Sequence, residues 1–367
     1  MDNTSKIIGE NIKKERLSHG MTQKELADII GYSEKSVSKW ESGMGLPTVN
    51  ILLEICKTFG TDLNAMVSKK EECPYYLAID GGGTKTHYLL CDADGEIIGE
   101  HIGECTNPVD LGIDKTKSIL KQCINMITCG ISLQSVYMFA GISGGTTGNN
   151  REILHDFFES FGFAKFENDS DILSAVALGL GKSNGMIMIM GTGVCGFAIK
   201  DGYRKQIGGW GQFFDEGGGG YNLGKDGLYA VLKADDGTGE KTLLKPAIEG
   251  ILGDTVRKSL SDIYGKGKKY IASFSKVVTK VANDGDKVAK EIIEYNMKHV
   301  AKIINAGIEF INEKDIKIAF IGSLILNNQD FTDIIKKHLN PKYNVEFKMI
   351  EEAPVYGALK VARELNS

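Results

Sequence analysis

The chain has 367 residues, and 43 Lys and Arg against 48 Asp and Glu leave a formal charge of −5. That length suits two or three domains, and the charge balance excludes a surface covered in positive charge, though not one small basic patch. Seven cysteines without a C-x-x-C pair read as reduced thiols, no apolar stretch approaches the roughly 18 residues of a membrane span, and the N-terminus lacks the apolar core of a signal peptide, so a cytoplasmic protein without membrane contact is expected.

Residues 1–68 read as short amphipathic helices without a strand pattern. In MTQKELADIIGYSEKSVSKWESG (21–43), Thr22 is a good N-cap and Glu25 completes a capping box. Leu26, Ala27 and Ile30 form one apolar face, Gly31 supplies a left-handed turn, Ser33 caps the next helix, and Val37 and Trp40 face inward. Leu52, Leu53, Ile55 and Cys56 are expected to complete this core. A generic helical bundle for protein contacts would share part of the pattern. However, T-Q-x-E-L-A, the central Gly, S-x-x-x-V-S and W-E-x-G at these spacings closely resemble the Cro/phage-repressor (XRE-type) helix-turn-helix family. The resemblance implies that the helix over 34–41 enters the major groove of double-stranded DNA. Glu34, Lys35, Ser38 and Lys39 then reach base edges, with the capping Ser33 beside them, and Gln23 and Ser36 hold phosphates. Residues 1–70 carry ten Lys and Arg against nine Asp and Glu. So weak a patch calls for a second copy or for additional contact sites, and a homodimer is expected.

Residues 69–75, polar and containing Pro74, read as a linker. From Tyr76 onward, apolar runs alternate with helical periodicity, the order of an α/β fold. Strands are predicted over 76–80, 86–92, 186–190, 196–200 and 316–322, and helices over 113–130, 170–180, 219–234 and 285–311. The 45 glycines are numerous, and they cluster beside strands, where backbone can approach a ligand closely.

AIDGGGTKTHYLL (78–90) places an aspartate and three glycines between two strands, unlike a dinucleotide-binding or Walker A loop, which leads into a helix. The G-K-S at 181–183 follows a helix and reads as a helix stop. In a β-turn-β loop, Gly81, Gly82 and Gly83 expose backbone N–H groups to phosphate, and Thr84 and Thr86 add hydroxyls. Asp80 would hold a magnesium ion or its water shell. One such turn is more often only a hairpin. A second, MIMIMGTGVCGFAIK (186–200), suggests a duplicated lobe gripping one nucleotide. Between them, in FENDSDILSAVALG (166–179), Asp169 closes a short strand. Alone it reads as a helix cap; beside two phosphate loops it reads as the base that accepts a hydroxyl proton during phosphoryl transfer.

D-G-G-G-T-K-T, N-D before a helix, G-T-G, G-G-W-G (208–211) and a C-terminal P-x-x-G-A (354–358) resemble the BadF/BadG/BcrA/BcrD-type ATPase family. Within it, they resemble the N-acetylglucosamine kinase branch of the actin/sugar-kinase/Hsp70 superfamily. The resemblance implies an α/β, two-lobed, actin-like (ribonuclease H-like) fold, with lobes at 76–185 and 186–367 and the C-terminal helix returning to the first lobe. It assigns ATP and Mg2+ to Asp80, Gly81–Gly83, Thr84, Lys85 and Thr86, to Gly191, Thr192 and Gly193, and to the adenosine loop at Gly322 and Ser323. Asp169 becomes the catalytic base. An amino sugar such as N-acetylglucosamine meets Asn107, Ser143, Gly144, Thr192, Gly209, Trp210, Asp215 and Glu216. Two departures stand out against this pattern. The segment F-D-E-G-G-G-G-Y (214–221) replaces the family's G-D-E-G-S-G-Y, which leaves the acidic pair displaced, and Val194–Cys195 stand where a Ser usually follows the G-T-G. The implied function is an amino-sugar kinase fused to a DNA-binding head, a sugar-responsive transcriptional regulator. The alternative is a regulator whose kinase fold only senses sugar or nucleotide.

Overall fold

The computed structural model describes residues 3–67 and 74–366, so the expected linker lies, up to residue 73, outside the described residues. One compact unit runs up to Ser174 and resumes at Pro354; the other is Ala175–Ala353.

The first unit begins with five helices, α1 (Asn3–Ser18), α2 (Gln23–Ile30), α3 (Glu34–Glu41), α4 (Val49–Phe59) and α5 (Leu63–Val67). Local chemistry places their ends. Thr22 and Glu25 form the reciprocal capping box, Gly31 closes α2 at φ 70°, and Ser33 accepts from the Ser36 amide at the head of α3. Leu26, Ala27, Ile30, Val37 and Trp40 are buried together with Leu52, Ile55, Cys56 and Phe59. Leu53, expected in this core, is instead 42% exposed. The inward stripe of α4 falls at 52, 55, 56 and 59, and a residue one position along a helix is turned about 100° away.

The same unit then builds a five-stranded sheet in the order β3-β2-β1-β4-β5. Its strands are β1 (Tyr75–Gly81), β2 (Lys85–Cys91), β3 (Ile97–Glu104), β4 (Val136–Ile142) and β5 (Lys165–Asp169). The first three form an antiparallel meander, and β4 and β5 add in parallel. Helices α6 (Pro108–Leu111), α7 (Ile113–Ile127) and α8 (Asn150–Glu159) connect them, and α9 (Ile172–Gly179) follows, running past Ser174 into the chain of the second unit. The C-terminal helix Pro354–Glu364 returns to pack on β1 and β4.

The second unit repeats this topology. Strands β6 (Gly185–Met190), β7 (Val194–Lys200) and β8 (Tyr203–Gly208) form the meander, and β9 (Asp315–Ile321) and β10 (Asn344–Met349) add in parallel, giving the order β10-β9-β6-β7-β8. Its helices are α10 (Gly220–Asp236), α11 (Leu244–Leu252), α12 (Val256–Ser273), α13 (Ser275–Asn283), α14 (Lys287–Ile311), α15 (Ser323–Leu326) and α16 (Phe331–Lys337). Every strand and helix predicted from the sequence falls on one of these elements. Strands β3, β4, β8 and β10 were not predicted; β3, β8 and β10 lie at sheet edges and carry polar residues among their apolar ones, whereas β4 is an apolar inner strand between β1 and β5.

Candidate functional site

The first glycine loop joins β1 to β2. Asp80 sits one residue before the end of β1, in register with His87 and Gly141. The Gly82 amide donates to the Lys85 carbonyl at 3.0 Å, which leaves Gly83, Thr84 and Lys85 exposed at the tip. Thr86, expected to offer its hydroxyl to phosphate, faces the other way. It is 0% exposed, and its hydroxyl lies 2.8 Å from that of Thr106. The alternation of the strand turns it into the core.

The β5–α9 junction holds two aspartates in different surroundings. Asp169 is 4% exposed, its Oδ1 accepts from the Ser170 amide at 2.6 Å, and its Oδ2 lies 3.3 Å from Arg151 Nη2. Asp169, expected as the catalytic base, is thus engaged by the Ser170 amide and by Arg151. The carboxylate that faces Asp80 belongs to Asp171, two residues later. Burial pushes Asp80 up to about 7, the Asp171 charge adds to the effect, and Lys85 opposes it. Asp171 is also raised, chiefly by burial, against hydrogen bonds from Ser170, the Ile172 amide and Ser143. The sequence signal was there in N-D-S-D, but α9 starts only at Ile172, which turns the second aspartate toward β1 and β4.

Around this pair lie three residues expected to meet sugar. The Ser143 amide donates to the Gly81 carbonyl at 2.7 Å. A Cβ on Gly144, at φ 72°, would come 2.4 Å from Asn107 Oδ1. Asn107 caps α6 by accepting from the Val109 amide at 2.9 Å and donates to Asp110 at 2.9 Å. Asp80, Asp171, Ser143, Gly144 and Asn107 therefore form one continuous polar cluster in the first unit.

Asp80 also makes stability depend on pH. Its folded value of about 7 exceeds the ordinary 3.8, so between these pH values the folded chain keeps a proton that the unfolded chain has lost. Stability is full below about pH 4 and falls as pH rises through 7, by up to about 1.4 kcal/mol per pH unit. In metal-free protein, Asp80→Asn is therefore expected to melt above the parent at pH 8, with the gap closing toward pH 4. Thermal melts across that range check it; parallel curves would contradict it.

The second unit carries the G-T-G turn between β6 and β7. The Gly191 amide donates to the Gly193 carbonyl at 2.9 Å, and the first turn of α10 docks on the loop through Gly220 N–H to Gly191 O (2.8 Å) and Tyr221 N–H to Thr192 O (2.9 Å). Only glycine fits at 219, where a Cβ would lie 2.7 Å from Gly193 Cα. A cavity of about 640 Å³ opens beside the turn, lined by Gly191, Thr192, Gly220, Lys269, Lys276 and Ser323. The expected adenosine loop thus shares a cavity with the expected phosphate loop. Gly322 lets it do so at φ 113°, where a Cβ would lie 2.4 Å from the Met190 carbonyl.

A smaller cavity of about 250 Å³ on the same turn includes Thr192, Gly193, Cys195, Gly209, Asp215 and Lys268. Asp215 accepts from the amides of Trp210 (3.0 Å) and Gly211 (2.8 Å), which folds the loop and leaves the Trp210 ring 63% exposed. Glu216, expected to act with Asp215, is not among the residues of this cavity. It lies 3.0 Å from His299 Nδ1 and 3.7 Å from Lys302. Burial and Lys302 hold that imidazole below its ordinary value, against the pull of Glu216.

In the helical head, Glu34, Lys35, Ser38 and Lys39 stand exposed along α3, while the Ser36 hydroxyl lies 2.8 Å from that of Ser33. Gln23, expected to hold phosphate, is engaged within the head. Its amide nitrogen donates at 2.7 Å to Glu41, which is paired at 2.6 Å with Arg16 in the core.

Comparison with known families places this geometry. The model of the BadF/BadG/BcrA/BcrD ATPase family matches residues 77–362. The chain belongs to this family. A helix-turn-helix model matches residues 12–65, so this ATPase-family member carries a helix-turn-helix domain ahead of its two-sheet α/β domain. The N-acetylmuramic acid/N-acetylglucosamine kinase of Clostridium acetobutylicum is 31% identical over 303 residues, covering 79% of this chain and 98% of its own. The solved structure of a structural-genomics target from Porphyromonas gingivalis shares the fold, with a TM-score of 0.62 at 19% identity over 80% of this chain and 99% of that one. The structure of a ROK family transcriptional regulator, described as a homolog of the E. coli MLC protein, aligns with 99% of this chain and 97% of its own, with a TM-score of 0.51 at 13% identity. Family membership implies that the chain uses ATP. No helix among the described residues is long and apolar enough to cross a membrane.

Proposed function

We propose that this chain is an ATP-dependent kinase of an N-acetylated amino sugar, with a DNA-binding head that responds to the sugar. The observation that carries the reading is the Asp80–Asp171 pair, half-buried with both carboxyls raised, chiefly by burial, and with Ser143, Gly144 and Asn107 beside it. A carboxylate held at a raised proton affinity is suited to accept a proton from a hydroxyl.

Asp171 is the base, in place of Asp169. It takes the proton as the sugar oxygen forms its bond to phosphorus and the bond to the ADP oxygen breaks. Ser143 orients Asp171 by its hydrogen bond. Asn107 and Gly144 hold the sugar in the first unit. Backbone amides at Gly81–Gly83 and Gly191–Gly193, with Thr84, Lys85 and Thr192, hold phosphates, and Ser323 lies on the nucleoside side. The donor set also fits a divalent cation: Mg2+ takes one or two carboxylates and completes its shell with water and phosphate, and a cation would relieve the repulsion between Asp80 and Asp171. Asp80 is the residue that would hold it, and the ion would supply charge neutralisation on phosphate. Among the described residues no group of three or more His, Cys, Asp or Glu converges on a metal position.

ADP release measured with ATP, Mg2+ and a panel of amino sugars tests the reading. Turnover with at least one N-acetylated sugar is expected; ATP hydrolysis indifferent to every sugar would contradict it and favour a sensor.

The DNA-binding half rests on the exposed Lys35 and Lys39 and the weak charge of the head. Two copies are expected to read an inverted repeat with half-sites about one helical turn apart. Lys35→Ala or Lys39→Ala is expected to weaken specific binding by roughly 1–3 kcal/mol and to relax sequence preference at one position. A random-DNA selection followed by binding titrations checks this, and a full-length protein without sequence preference would sink it. A response to sugar appears as operator curves that separate when saturating sugar and a non-hydrolysable ATP analogue are added.

A further inference from the structure

Helix α12 does not run unbroken. At Gly267 the backbone takes φ 73° and ψ −167°, a combination essentially confined to glycine, although a Cβ there would meet nothing within 4 Å. Backbone direction, and not crowding, requires glycine at this point.

The lysines around the break have different surroundings. Lys266 is occupied: its ammonium lies 2.6 Å from Asp262 and 4.6 Å from the centroid of the Tyr270 ring. Lys268 and Lys269 form no ion pair among the described residues. Lys268 is half-buried and lines the smaller cavity, where a Cβ on Gly193 would come 3.9 Å from its ammonium. Lys269 lines the larger cavity with Gly191, Thr192 and Ser323. Consecutive lysines thus line two cavities that share Gly191 and Thr192 of the G-T-G turn. The carboxylate in the smaller cavity forms no ion pair with Lys268; Asp215 turns its oxygens to the amides of Trp210 and Gly211. An unpaired ammonium against a loop of glycine amides is an arrangement for a highly charged anion.

We propose that Lys268, turned onto the G-T-G loop by the break at Gly267, neutralises the phosphoryl group during its transfer, a positioning and charge role separate from binding the resting nucleotide. The inference rests on the kinase reading above. The bond changes are those of that reading: the sugar oxygen gains phosphorus, the ADP oxygen leaves, and the proton goes to Asp171. Lys268 keeps its protons throughout and contributes charge alone. Lys269, on the side with room for a nucleoside, is left to the phosphates that stay with ADP.

The test uses the full-length protein. Lys268→Met is expected to lower kcat about 10²-fold, the scale of one lost donor aimed at developing charge, while KM for ATP and the Kd for ADP stay within about threefold. Binding of ADP with aluminium fluoride, which mimics the group in transfer, is expected to weaken by a similar factor, and Lys268→Arg to restore most of both. Lys258→Met, an exposed change at the far end of α12, serves as the unchanged control. A Lys268→Met kcat within about threefold of the parent would overturn the proposal. So would an equal loss of ADP affinity, which would assign Lys268 to the resting nucleotide or to the shape of the loop. If the parent itself shows no sugar-dependent ADP release, the kinase reading fails on its own, and the aluminium fluoride binding arm decides Lys268.

Discussion

Replacing Asp171 with asparagine is expected to lower sugar-dependent phosphoryl transfer by about 10²–10⁴-fold, with nucleotide and sugar affinities little changed. Asparagine keeps the size and the hydrogen-bond acceptor that Ser143 and Ser170 address, but it cannot take a proton. The comparison that gives this result its meaning is Asp169→Asn. Asp169 is buried, tied to the half-exposed Arg151 and to the Ser170 amide, so its loss acts on stability: about 1–3 kcal/mol is typical when a buried hydrogen-bonding partner is removed. Below its lowered melting temperature, Asp169→Asn is expected to retain turnover within about tenfold of the parent. Steady-state kinetics with a melting curve for each variant separate the two residues. If Asp169→Asn abolished turnover in folded protein while Asp171→Asn left it near normal, the assignment would be reversed.

Gly224→Ala is expected to produce the largest loss of stability of any single methyl group added to the second unit. A Cβ there would lie 2.0 Å from the Ile271 carbonyl oxygen and 3.0 Å from its carbon. Both are backbone atoms of α12, so no rotamer change relieves the clash and the two helices must move apart. Alanine gains about 1 kcal/mol of helix propensity over glycine. Overpacking costs of about 1–3 kcal/mol, and occasionally more, arise where side chains can yield; here they cannot. A net loss of about 3 kcal/mol is expected, or a melting temperature lower by roughly 5–10 °C. Gly227→Ala on the same helix meets only the Val278 Cγ2 methyl, at 2.6 Å, which a side-chain rotation can withdraw, and is expected to cost less. Thermal unfolding of both variants checks the order, and equal shifts would contradict it.

The sequence by itself determined what depends on neighbours within a few residues. Thr22, Glu25, Gly31 and Ser33 act on amides three positions away or on their own φ, so the helix-turn-helix is legible from spacing alone. The two glycine hairpins are equally local, since each needs only two apolar strands and a tight turn between them. Choices among equivalent residues were left to the tertiary structure. N-D-S-D offers two aspartates, and the one facing Asp80 is decided by where β5 ends and α9 begins, which depends on pairing with β4. Thr84 and Thr86 look alike in D-G-G-G-T-K-T, yet the pleat sends Thr86 to Thr106. Gln23 is drawn to Glu41 from 18 residues away, and Leu53 falls off the buried stripe of its helix. Lys268 and Lys269 carried no signal at all, because a lysine beside glycines on a helix reads as a solvated charge until another part of the fold brings a phosphate loop against it. Short-range hydrogen bonding and backbone preference are written in consecutive residues; which side chain meets which across a sheet or between helices is decided only when the core closes.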